Sequence, residues 1–277
     1  MAGSPRLQAT LLPGARELLE MHARELPQRD DLCGAFCAAL ALHAAGARGP
    51  GGAVIDQDEV ALAAGSVIAA AREPGTLPTG ERGRRDYRLA LPAVEDEARS
   101  GTTAQGVVDA IRALADGRVE PIPLAGPWTP ATLAAAFELA ATLEHPVTLL
   151  ANLATRHLWG SRATLAQLLA FLLAGEGGGP PPDWDVGHFA CVVGRVEGAG
   201  GRLYALADTY PSLGTRGVHM QPEERLAAAI ARPDMPAGGV VAVTATADAE
   251  GFRSGVRAIG LSESIWDNGT LSPEPRT

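Results

Sequence analysis

Residues 33 to 45, Cys-Gly-Ala-Phe-Cys-Ala-Ala-Leu-Ala-Leu-His-Ala-Ala, read as a helix that is apolar on every side, His43 being its one polar side chain. A helix with no polar face cannot lie on a surface and has to be wrapped by the rest of the chain. Asp30 or Asp31 is placed to cap its start, and Gly46 with the Gly-Pro-Gly-Gly at 49 to 52 ends it. The run is the longest apolar stretch in the chain and falls short of a membrane span. A chain of 277 residues, 46% hydrophobic and 20% charged, has enough apolar material to build a core around it.

The other elements follow from periodicity and punctuation. Residues 14 to 26 predict an amphipathic helix stopped by Pro27, and 56 to 72 a helix capped by Asp56. Residues 104 to 115 and 130 to 144 predict two more, capped by Thr102 or Thr103 and by Thr129, with Pro130 at the favoured first position. Helices are also expected over 162 to 174 and 222 to 232. Val147 to Asn152, Phe189 to Val196, Leu203 to Ala207 and Val240 to Thr246 read as strands. The middle two form a hairpin turning at Gly198 to Gly201. Segments 73 to 88 and 175 to 187 are expected to be mobile surface insertions, the second a lid or a solvated loop. The tail after Asp267 is expected to be disordered. This order predicts an α+β fold with a largely antiparallel sheet. One domain is expected over 1–250, helical to about 145 and sheet from 146, with a partly disordered extension at 251–277.

Charge removes several functions. Basic residues number 23 against 32 acidic ones, a net charge of −9, which argues against a nucleic-acid binder. All of the basic residues are Arg, so catalytic, Schiff-base and phosphate-loop lysines are excluded together. The cysteines, Cys33, Cys37 and Cys191, are too few and odd in number for a secreted disulfide framework. Met1 to Arg6 lead into a charged stretch rather than a signal peptide. The expectation is a soluble cytoplasmic protein with reduced thiols, no cofactor, no metal and no membrane partner.

Three positions carry chemistry. Cys33 opens the buried helix, His188 opens the first strand of the hairpin, and Asp208 closes the second. A thiol attacks as thiolate, and a helix N-terminus favours that anion through unpaired N–H groups and its dipole. An imidazole beside it completes an ion pair and later protonates the leaving group. An Asp on the other ring nitrogen fixes its tautomer. The hairpin brings Asp208 to within a few residues of register with His188. Gln28, five residues before Cys33, could donate to an oxyanion beside the Cys33 N–H. Asp30 and Asp31 would oppose a thiolate and are expected to cap the helix or face water.

Gln28-Arg-Asp-Asp-Leu-Cys33-Gly34-Ala-Phe-Cys37 resembles the nucleophile segment of papain-like cysteine peptidases, most of all the bacteriocin-leader (double-glycine) peptidase branch and, more distantly, phytochelatin synthase. Gly187-His188-Phe-Ala-Cys-Val-Val-Gly194 is similar to their His strand. Leu206-Ala-Asp208-Thr-Tyr-Pro-Ser-Leu-Gly214 is similar to their Asp or Asn strand. Gly101-Thr-Thr103 before a helix and the strand from Pro146 to Asn152 fall in the same order. Gln28 sits one residue closer to the Cys than is usual in that family. The resemblance implies a papain-like fold and an acyl-enzyme on Cys33, formed from a peptide or small amide substrate. Water as acceptor gives a peptidase or amidase; an amine gives an acyltransferase with the same triad.

Rival readings stand beside this one. Cys37, one turn later, is expected in the core and is the fallback nucleophile. Cys33, Cys37, His188 and Cys191 together offer a zinc set, opposed by the alternation of His188 and Cys191 along a strand. His43 reads as a core residue. His22, His145, His157 and His219 show no partner pattern and read as surface groups. Trp159 and Trp184 line a cleft or anchor loops. Arg82, Arg84, Arg85 and Arg88 hold an acidic ligand or face water. A non-catalytic binding protein on the same fold is the remaining alternative.

Overall fold

The structure, a computed structural model, describes residues 6–71 and 76–271. The expectations for Met1 to Pro5, for 73–75 and for 272–277 lie outside the described residues.

In chain order the elements are β1 (Gln8–Leu11), α1 (Ala15–Glu25), α2 (Cys33–Ala44), α3 (Gln57–Ala63), β2 (Ile68–Ala69), β3 (Ala93–Val94), α4 (Ala104–Leu114), β4 (Val119–Ala125), α5 (Pro130–Ala141), β5 (Val147–Ala154), α6 (Leu165–Ala174), β6 (Gly187–Gly198), β7 (Gly201–Ala207), β8 (Val218–Pro222), α7 (Glu223–Ala231), β9 (Gly239–Ala245), α8 (Ala249–Ala258) and β10 (Ser262–Glu263). The architecture is α+β. Seven strands form an antiparallel sheet in the order β10-β4-β9-β5-β6-β7-β8, and β1 joins it as an eighth by pairing with the far half of β6. β2 and β3 make a separate parallel pair.

α2 is the centre of the helical layer. Ten of its residues, Gly34 to Leu42 and Ala44, are buried, as its uniform apolarity requires. It packs against α1, α3 and α4 and against β5 and β6. Every residue of β5 is buried, so both sheet faces are covered there; α7 packs on the same strand and on β7. Gly34 permits the close approach of α2 to β6. A Cβ there would sit 3.1 Å from Thr102 and Val107 and 3.3 Å from Phe189.

Caps explain the helix starts. Asp56, Thr103, Thr129 and Thr164 accept backbone N–H bonds at α3, α4, α5 and α6. Asp30 and Asp31 do not cap α2. Leu32 is its N-cap, with no side-chain bond, and the Asp31 carboxylate instead accepts from Ala69 N at 2.9 Å.

The strand and helix boundaries correct several expectations. α3 stops at Ala63 because Gly65 takes φ 64 and the chain turns into β2. β4 was hidden by Pro121 and Pro123. Both pair within a seven-residue strand whose central residues are buried. The helical and sheet halves are not cleanly divided, since β1 and β4 come from the first 145 residues. Residues beyond 250 belong to the core: Phe252, Val256, Leu261 and Trp266 join its main cluster, and Leu271 N still bonds Arg99 O at 2.9 Å.

The described part of the 73–88 insertion is tied down. Arg84 N donates to Gln28 O and its guanidinium pairs with Glu25 at 2.9 Å. Arg88 pairs with Asp56, and its N–H reaches Asp58 at 2.8 Å. Tyr87 lies under the Arg29 guanidinium, 3.6 Å from ring centroid to carbon. Arg84 and Arg88 therefore serve the fold, and the segment brackets the start of α2. The 175–182 stretch packs on Trp159, with Pro180 O accepting from Gly160 N.

Candidate active site

Cys33 is the first residue of α2 and half-buried, while Cys37 and Cys191 are fully buried behind it. Leu32, the N-cap, makes no side-chain cap bond to the first N–H groups of α2, the groups that favour an anion at a helix start. Burial pushes the Cys37 thiol well up, with Cys191 adding to the rise, which disfavours Cys37 as the fallback nucleophile.

His188, the second residue of β6, and Asp208, just past the end of β7, meet as the hairpin predicts. Ala207 pairs with Cys191, and a bulge between Val192 and Gly194 adjusts the register. His188 Nε2 donates to Asp208 Oδ1 at 2.8 Å, and both side chains are 2% exposed. Burial alone would lower the His188 ring. Burial is the largest single influence, but the charges and hydrogen bonds of Asp208 and Cys33 together outweigh it, and the ring is pushed up to about 10. With Nε2 committed to Asp208, Nδ1 is the nitrogen left for Cys33. Burial also opposes charge on Asp208, but His188 and then His219 hold its carboxyl well below the usual carboxylate range.

The site lies in a cleft of about 780 Å³ that Cys33, His188, Gln28, Trp184 and Arg232 help to line. The Trp184 ring stands edge-on to His188, centroids 4.9 Å apart. Arg232 is 3% exposed, and among the described residues no carboxylate lies within ion-pair distance of it. Its Nη1 donates to Asn152 Oδ1 at 2.6 Å, and its buried Nε has no partner. Asn152 is itself held by Trp266 Nε1 and by the His188 carbonyl. Glu95, Asp96, Glu97, Asp31 and Asp185 line the same cleft.

A family model described as "Family of unknown function (DUF6885)" matches residues 12–267. The chain belongs to this DUF6885 family. A search of the curated proteins finds no match.

In this DUF6885 chain Gln28 is buried beside the cleft but does not present a donor to it. Its Nε2 donates to the Tyr210 hydroxyl at 3.0 Å, which in turn donates to Asp30. The buried amide atom without a partner is Oε1, an acceptor. For the amide to turn and offer Nε2 elsewhere, the Tyr210 proton must leave Asp30 for Oε1.

Two histidines read from sequence as surface groups belong to the site. His219 is 5% exposed and its Nε2 donates to Asp208 Oδ2 at 2.9 Å. His22 is 2% exposed and donates from Nε2 to the Asp208 carbonyl at 2.6 Å; burial lowers its ring. Neither stands in a recognisable motif, although alternation along β8 from a buried Gln221 places His219 on the inner face. His43 is only half-buried, a correction to its core reading. His145 and His157 pair with Asp248 and Asp234 nearer the surface. Trp159 anchors a small cluster with Phe171 and Leu172. Among the described residues no group of three or more His, Cys, Asp or Glu is close enough to hold a metal, and no helix is long and apolar enough to cross a membrane.

Proposed function

We propose that this chain is a papain-like cysteine enzyme that cleaves an amide or peptide bond through an acyl-enzyme on Cys33. One observation carries the reading: a half-buried thiol at an uncapped helix N-terminus, beside an imidazole held by a buried carboxylate, in a cleft. His188 takes the thiol proton, and Cys33 Sγ attacks the carbonyl carbon, forming a C–S bond and an oxyanion. The Cys33 N–H faces that oxygen, and Gln28 joins it once its amide turns. His188 then passes its proton to the leaving nitrogen as the C–N bond breaks. Water attacks the thioester, giving its proton to His188, and the carboxylate leaves as the C–S bond breaks. Asp208 keeps the ring oriented throughout. The buried cation Arg232 on the cleft wall suits an oxygen-bearing group on the substrate.

A transferase is the second reading, favoured by the acidic cleft wall, which attracts an amine acceptor. Product analysis with and without added amine separates the two. The reaction class itself is tested by iodoacetamide labelling against pH. The expected result is one cysteine, Cys33, alkylated fast at pH 6, and loss of that fast phase in Cys33→Ala and His188→Ala. Labelling that rises only near the free-thiol value of about 8.5 contradicts the proposal.

A further inference from the structure

Asp208 offers each of its side-chain oxygens to a different histidine. Oδ1 receives His188 Nε2 at 2.8 Å and the Thr209 N–H at 2.7 Å. Oδ2 receives His219 Nε2 at 2.9 Å. The arrangement therefore turns on which nitrogen of His219 carries the proton, and Gln221 decides it. Gln221 is fully buried, and its amide is clamped to the backbone of Trp159: Oε1 accepts from Trp159 N at 2.8 Å and Nε2 donates to Trp159 O at 2.8 Å. Its orientation cannot be reversed without breaking both bonds. The second proton of Nε2 then points at His219 Nδ1, 2.9 Å away. Nδ1 must accept, so the ring proton sits on Nε2, and in that tautomer the ring carries no charge.

We infer that Gln221 locks His219 as an uncharged Nε2–H donor, making His219 a positioning residue that fixes Asp208 without neutralising it. A charged imidazole at the same place would compete with His188 for the field of the carboxylate. An uncharged donor satisfies Oδ2, which is otherwise stranded in the core, and leaves the negative charge to His188. The ionisable groups facing His219 are few. Asp208 lies on its Nε2, and Asp183 borders the same small cavity, its Oδ2 already accepting from Ser161 N at 2.6 Å. His188 and His22 reach Asp208 from β6 and α1, the latter through the Asp208 carbonyl. The lock is built from two backbone bonds and a strand register, so it is set by folding and needs no ligand.

The inference rests on the Cys33, His188 and Asp208 reading above, and its test separates the two. Nitrogen-15 NMR of the folded chain reads the His219 tautomer directly. A protonated Nε2 and bare Nδ1 is expected at pH 7; a protonated Nδ1 there overturns the lock. The pH profile of Cys33 alkylation by iodoacetamide then reads the coupling. Gln221→Glu replaces the donor with an acceptor, draws a proton to Nδ1 and charges the ring. The low-pH reactivity of Cys33 should shift to higher pH, because the charged ring on Oδ2 weakens the hold of Asp208 on His188. His219→Ala should slow alkylation at pH 6 by roughly tenfold, the equivalent of one lost hydrogen bond to a charged group. His219→Gln, whose amide can still donate to Oδ2, should recover most of that loss. Fast labelling of Cys33 at pH 6 in the unaltered chain, with a profile unmoved by Gln221→Glu and His219→Ala in folded protein, overturns this inference alone. Absence of fast labelling in the unaltered chain overturns the acyl-enzyme reading instead, and the NMR result still decides the lock.

Discussion

The candidate site residues divide by how much of their environment is local. Cys33, His188 and Asp208 were legible because each sits at the end of an element that its neighbours announce: an apolar helix, a strand opening on Gly187, and a strand running into a Pro-containing turn. His22 and His219 were not, because their partners, the Asp208 carbonyl and the Asp208 carboxylate, are brought to them only by tertiary folding. Gln28 falls between. Its nearness to Cys33 was readable, but its tie to Tyr210, 182 positions away, was not. This predicts a sharp outcome for Gln28→Ala. If the amide turns toward the oxyanion during reaction, kcat should fall by about 10²-fold, the usual cost of one oxyanion donor. A variant with undiminished kcat would leave the Cys33 N–H as sole donor.

Element by element, the central helix was the clearest prediction and β4 the least accessible. Uniform apolarity leaves a helix one place to go, whereas Pro121 and Pro123 are poor markers of a strand lying between two neighbours. The start of α2 shows how function and folding compete. A capping Asp would have satisfied its first N–H groups, and the chain instead sends Asp31 to Ala69 and starts the helix without a side-chain cap beside Cys33. Gly34 sits at that same turn with Thr102, Val107 and Phe189 closing around it. Gly34→Ala should destabilise the chain by about 1–3 kcal/mol, as overpacking does, measured as a lower urea midpoint. Unchanged stability would mean that α2 and β6 have room to separate.

For the whole molecule, the buried His188–Asp208 pair ties stability to pH. The His188 ring, at about 10 when folded against 6.5 for the free group, contributes stability that is complete below about pH 6.5 and is lost as pH rises toward 10. Asp208, depressed from 3.8, contributes stability present above that value and lost as pH falls below it. In Cys33→Ala, where no thiol proton offsets the imidazole, the urea midpoint should therefore be highest between roughly pH 5 and 7 and decline by pH 9, and adding Asp208→Asn should flatten the alkaline decline. A midpoint that holds level from pH 6 to 9 in Cys33→Ala would show the His188–Asp208 pair to be uncharged. On the proposed reading the same pair activates Cys33, so the most direct test of the account is the ultraviolet absorbance of thiolate, titrated in the unaltered chain and in Cys33→Ala. The account predicts one thiolate already present at pH 6, absent from Cys33→Ala and largely lost in His188→Ala. Thiolate absorbance that first appears near pH 8.5, the same with or without His188, would contradict it.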